Sequence, residues 1–310
     1  MSYRLRPGLV DYPSKNSAIL AHQRRLLASY IIGDELAADG HSIVINPGSV
    51  YIREKLIFFD TEVRQAVSEA IYGRTFPRLQ AGEYFHNTGI PALRGIAERG
   101  ELRLHWLRKR MEHAVEGELI NLARIEGWTG LLAENWDPQD PEPPGSNLFY
   151  ISMVDVEGGT GLWSFGSVRL RLRVNAAGKM GQLREIRYHS GDDVTLLGKV
   201  NRALASEGLP PILPEGSYRM AAHSLPKSFA PETEVRLLYM HFEGLPDLRQ
   251  QDGDVVYWPV PIGGESDVAE IELIGLEVNS KRALNQVRKA LTGTVFEAIE
   301  PTLVMLDTPR

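Results

Sequence analysis

The apolar positions of this chain change period along its length, and the changes predict its elements. From Asn16 to Ala38, Ile19, Leu20, Leu26, Leu27, Ile31, Ile32 and Leu36 recur at helical spacing, which predicts an amphipathic helix. "HSIVINPGSVYIREKLIFF" then gives two β-type runs around a Pro-Gly turn, a hairpin pattern, and Asp60 to Arg74 predicts a short helix stopped by Gly73. From Gly82 onward the pattern becomes strands separated by helices. "EYFHNT" predicts a strand, "GIPALRGIAERG" a helix with Pro91 in its first turn and Gly100 as its stop, and "ELRLHWL" a further strand. Arg108 to Trp136 predicts a helix, which the proline-rich acidic loop "DPQDPEPPGSN" cannot continue. "SVRLRLRVN" alternates strictly, so Val168, Leu170, Leu172 and Val174 should face a core and Arg169, Arg171 and Arg173 the opposite side. "LFYISMVDV", "LREIRYH", "ETEVRLLYMHF", "DVVYWPVPI" and "VAEIELIGLEV" read as further strands, with a helix over "DDVTLLGKVNRALASEG". The last helix is capped by Asn279 or Ser280.

Many strands interleaved with fewer helices predict an α+β class, divided into an N-terminal helix and hairpin extension over residues 1–80 and a larger domain over 81–310. Composition narrows the chemistry. The 310 residues are 43% hydrophobic and 24% charged, enough to bury a substantial core. There is no cysteine, which removes disulfides, thiolate nucleophiles and cysteine-ligated metals and suits a reducing cytoplasm. The first residues lack an apolar secretion core and no apolar run is long enough for a bilayer, so a cytoplasmic protein without membrane attachment is expected. A formal net charge of −6 confines any polyanion contact to a local patch. The candidates are Arg108, Lys109 and Arg110 beside Trp106, and the arginines of "RLRLR"; each also reads as an ordinary solvated face. Metal-assisted hydrolysis through His86, His105, His113 and His189 finds no HxxxH or HExxH pattern. The glycines of "VEGGTG" form neither a dinucleotide fingerprint nor a P-loop.

Three stretches carry residues suited to chemistry. In "FHNTG", His86 and Thr88 share a strand face and can hydrogen-bond an amide or a ribose; equally, they read as a strand-end histidine and a threonine helix cap. In "NLFYISMVDV", Tyr150 and Ser152 share a face, and with Trp163 downstream they suit a planar ring, or a plain aromatic core. In "PETEVRLLYM", Glu232 and Glu234 share a face at the start of a strand with Arg236 continuing it. Such carboxylates stabilise a sugar cation or take a proton, and they also suit a solvated edge.

In this order, His-x-Thr before a helix, Tyr-x-Ser on a central strand and Glu-x-Glu opening a late strand resemble the three NAD-contacting motifs of the ADP-ribosyltransferase superfamily. "LW.F", the run Lys227, Phe229, Glu232, Glu234, Arg236, and "ELIGLEVNSKRALNQVRKAL" are similar to a large group of uncharacterised bacterial domains. The resemblance covers Gly82 to Leu291. It implies a split two-sheet β-core with flanking helices, and NAD as a substrate cleaved between nicotinamide and ribose. It also implies transfer of ADP-ribose to a protein or nucleic-acid acceptor, or hydrolysis, in a bacterial toxin or defence protein with a neutralising partner. His86 and Thr88 would hold the ribose or the amide, Tyr150 would pack on nicotinamide, and Ser152 would support the catalytic Glu234, with Glu232 assisting the acceptor. A histidine first motif with a Glu-x-Glu of the arginine-modifying type is a mixed signature. The alternative is a non-enzymatic nucleic-acid or protein-binding module on a degenerate version of that fold.

Overall fold

The computed structural model describes residues 75–107, 147–155, 166–189, 217–242 and 244–304 with few interruptions, three short strands before them and a few isolated positions. The chain divides into two compact units. One comprises Met1–Pro77, Glu112–Gly145 and His189–Ser224; the other comprises Arg78–Met111, Ser146–Tyr188 and Leu225–Arg310. The helices expected over 16–38, 108–136 and 192–208, the acidic loop and nearly all of the 60–74 helix lie outside the described residues.

In the first unit, β1 (Ile43–Asn46), β2 (Ser49–Ile52) and β3 (Lys55–Phe58) form an antiparallel meander. Asn46 pairs with Ser49 across Pro47 and Gly48, the two-residue turn the sequence placed there.

The second unit is built on an 11-stranded curled sheet with few helices. Its strands are β4 (Arg78–Leu79), β5 (Ala81–Thr88), β6 (Glu101–Trp106), β7 (Leu148–Asp155), β8 (Val168–Asn175) and β9 (Gln182–Glu185). After β10 (Arg187–His189), helix α2 (Ser217–Ala222) and β11 (Ser224–Pro226), the sheet resumes with β12 (Glu234–Met240) and β13 (Gln250–Asp252). It closes with β14 (Val255–Pro261), β15 (Glu270–Val278) and β16 (Thr302–Leu303). Helix α1 (Ile90–Arg99) joins β5 to β6, and α3 (Lys281–Leu291) follows β15. In α1, Pro91 occupies the first turn and Gly100 takes φ 68°, so its N–H closes the helix on the Ile96 carbonyl. The α1 N-cap is Gly89 with no side-chain bond, which removes the cap role from Thr88. The Ser280 hydroxyl caps α3 by accepting from the Ala283 N–H.

Alternation places the core. Val168, Leu170, Leu172 and Val174 are all fully buried, together with Phe149, Ile151 and Met153 of β7 and Val235, Leu237 and Tyr239 of β12. Leu93, Ile96 and Ala97 of α1 and Ala283, Val287 and Leu291 of α3 belong to the same cluster. Burying this apolar set drives the assembly, and it leaves the opposite faces of β5, β7, β8 and β12 to carry polar groups.

Candidate functional site

Strand β7 organises the site. Along one edge it pairs with β12 from Leu148 to Val154. The other edge is shared: Phe149 and Tyr150 pair with Trp106 and His105 of β6, whereas Val154 and Asp155 pair with Phe85 and Tyr84 of β5. Between them Ile151, Ser152 and Met153 have no strand partner on that edge, so the sheet opens there. A buried main-chain carbonyl at such an opening needs a donor. His86 supplies it, with Nδ1 at 3.0 Å from the Ser152 carbonyl oxygen.

That contact fixes the imidazole. A carbonyl only accepts, so Nδ1 carries the hydrogen; in the neutral ring Nε2 is then an acceptor. Burial holds the His86 pKa below its ordinary value of 6.5, partly opposed by the bond to Ser152, so the neutral form persists at neutral pH.

Two cavities adjoin the opening, and His86 and Ser152 line both. The larger, about 410 Å³, is also lined by His105, Trp106, Tyr150 and Val256, a largely aromatic and apolar wall. The smaller, about 180 Å³, is lined by Asn87, Val154, Glu232 and Glu234. Five sequence candidates thus converge here: His86, Tyr150, Ser152, Glu232 and Glu234. The Ser152 hydroxyl is buried and finds no hydrogen-bond partner among the described residues, which leaves an unmet donor and acceptor at the junction of the cavities.

The carboxylates are not arranged as one strand face. Glu232 ends a 3-10 turn over Lys227–Glu232, and the strand begins only at Glu234. Thr233 between them has φ 45°, which breaks the alternation that would have aligned the pair. Both nevertheless reach the smaller cavity. Glu234, 6% exposed, accepts from Arg236 Nε at 2.7 Å and from a terminal guanidinium nitrogen at 3.1 Å. The Arg236 guanidinium lies 5.2 Å from the centre of the Tyr150 ring. This two-point bond fixes the orientation of the Glu234 carboxylate beside the smaller cavity. The Glu234 N–H in turn donates to the Tyr188 hydroxyl at 2.7 Å.

Two sequence candidates lie elsewhere. Thr88 is buried at the end of β5 and lines neither cavity. Trp163 also lines neither; its ring stacks on Arg169, whose guanidinium sits 4.1 Å from the ring centre and donates to Asn87 Oδ1 at 3.1 Å. The expected basic stripe is largely committed to neighbours. Arg171 and Arg173 both bond Glu83, Arg173 also bonds Glu272, and Arg169 is 2% exposed. Arg108, Lys109, Arg110 and His113 lie outside the described residues. Among the described residues no group of three or more His, Asp or Glu side chains is arranged to hold a metal ion.

Sequence reasoning missed Asn87, Thr233 and Tyr188. Asn87 lies inside the quoted "FHNTG" and was legible as a polar neighbour of His86. Tyr188 had no signal, because its contact with Glu234 spans 46 positions. No protein-family model, no curated protein and no solved structure matches this chain.

Proposed function

We propose that the second unit is an ADP-ribosyltransferase-like core that uses NAD as its substrate, cleaving the nicotinamide–ribose bond and passing ADP-ribose to water or to an acceptor. The observation that carries this reading is the convergence of His86, Ser152, Glu232 and Glu234, from three distant stretches, on one opening in the sheet. The nicotinamide of NAD is a planar pyridinium, and it suits the aromatic wall formed by Trp106 and Tyr150. His86 Nε2 accepts from a ribose hydroxyl, and the Glu234 carboxylate, which lines the smaller cavity, stands beside the sugar.

The chemistry needs little beyond this. The glycosidic C–N bond breaks with its electron pair leaving on nicotinamide, which departs neutral because it was a pyridinium. Positive charge develops on the ribose, and the fixed, buried Glu234 carboxylate stabilises it. A lone pair of water or acceptor then attacks the anomeric carbon, and Glu232 takes the proton released. In a cytoplasmic bacterial toxin or defence protein this transferase would require a neutralising partner.

The Glu234–Arg236 ion pair supports a second reading, a binding module on a degenerate version of the same fold, since the carboxylate already has a buried cation. Incubation with NAD labelled on the adenine side, with and without lysate, separates the two. Wild-type protein is expected to release nicotinamide, and Glu234→Gln to lower that rate at least about 100-fold, as removal of a group stabilising developing charge does. Saturable NAD binding without turnover would select the binding module; neither binding nor turnover would remove the reading altogether.

A further inference from the structure

The turn that carries the two glutamates is strained and tied down at several points. Thr233 holds φ 45°, a left-handed conformation unusual for a β-branched residue, and such strain persists only where surroundings enforce it. Its N–H donates to the Ala230 carbonyl at 3.2 Å, and its carbonyl accepts from the Asp155 N–H at 3.4 Å. The Glu234 carbonyl accepts from the Ile186 N–H at 2.9 Å, one step past the last β9–β12 pair, Val235 with Glu185.

In a regular antiparallel pair the Glu234 N–H would return to the Ile186 carbonyl. Here it donates instead to the side-chain oxygen of Tyr188, at 2.7 Å. We propose that Tyr188 is a positioning residue for both carboxylates: its phenol oxygen replaces a main-chain acceptor and locks the strained turn that presents Glu232 and Glu234 to the smaller cavity. Burial, reinforced by the nearby charges of Glu234 and Glu232, pushes the Tyr188 phenol up to about 12 against the opposing bond from the Glu234 N–H, so it keeps its hydrogen at working pH. The kinetic consequence rests on the NAD reading; the structural one does not.

In the full chain, Tyr188→Phe is expected to speed amide hydrogen exchange at Glu234 about tenfold while exchange at Leu237 stays unchanged. With NAD, kcat falls roughly tenfold and KM stays within about twofold, because a group that has lost its position costs rate rather than ground-state binding. Adding Thr233→Gly restores most of the lost kcat, since glycine adopts a left-handed backbone without strain. Unchanged exchange at Glu234, or equal acceleration at Leu237, overturns the lock. A raised KM with unchanged kcat overturns it too, because Tyr188 would then act in substrate binding. Absence of NAD turnover by the wild type removes the proposed reaction and leaves the exchange measurement to decide the lock.

Discussion

A single imidazole closes the opening in the sheet, and its protonation state couples the site to the stability of the fold. His86 donates through Nδ1 to the Ser152 carbonyl, and the neutral ring is the form that burial favours. Its folded pKa is depressed, so the unfolded chain takes up this proton at higher pH than the folded one does. The stability it contributes is therefore complete above the ordinary value of 6.5 and is lost as pH falls toward the folded value. His86→Asn keeps a donor but cannot titrate. At pH ~7.5 the substitution is expected to cost about 1 kcal/mol through poorer geometry. As pH is lowered to ~5, wild type takes on the penalty of protonating a desolvated ring and the gap in melting temperature between the two proteins narrows. A gap constant across that range would show that His86 does not titrate against the fold. Arg236 poses the opposite problem at the same scale. Desolvating it together with Glu234 brings little net stability, and removing either partner alone strands a buried charge. The pair thus defines the orientation of the Glu234 carboxylate more than it strengthens the fold.

At the scale of elements, β8 shows how two faces of one strand differ in weight. Leu172 is fully buried within the core cluster, whereas Arg171 and Arg173, on the opposite face, meet Glu83 across the strand in half-exposed ion pairs. Leu172→Ala is expected to destabilise by about 3 kcal/mol, the sum of lost transfer energy and the cavity left behind. Glu83→Ala should move the melting temperature by only a small fraction of that shift, because exposed pairs are screened. Comparable losses in the two variants would contradict this division. The same strand explains what was legible in the sequence. Strict alternation in "SVRLRLRVN" and the Pro91 and Gly100 punctuation around α1 each record a local rule, and strand and helix appear where those rules put them. The site was less legible. The convergence of His86 with Ser152 depends on β5 and β6 sharing one edge of β7, a long-range pairing that no local period encodes. Glu232 and Glu234 share a face only in a strand that starts at Glu232; the left-handed Thr233, an outlier for its residue type, overrides that period.

For the molecule as a whole, on the proposed reading, charge decides how a dinucleotide would be met. The chain carries a formal net charge of −6, and the described lining of the smaller cavity adds Glu232 and Glu234 with no lysine or arginine among the described lining residues of either cavity. Arg236 is paired with Glu234, and the arginines of β8 are engaged with Asn87, Glu83 and Glu272. On the proposed reading such a site would favour the nicotinamide pyridinium and do little for the pyrophosphate. Recognition should therefore reside in the nicotinamide-riboside half, with the long-range field of the protein opposing an anionic substrate. Raising ionic strength from ~20 to ~200 mM shortens the screening length from roughly 20 to 7 Å and weakens that opposition. The kcat/KM for NAD is then expected to stay level or rise by up to about twofold, and nicotinamide mononucleotide should retain much of the affinity of NAD. A steep fall with salt, beyond roughly threefold, would require a cation on the pyrophosphate, of the kind a site built for phosphates supplies. Measuring KM for both substrates across that salt range distinguishes a pocket that reads the ring and ribose from one that reads the phosphates.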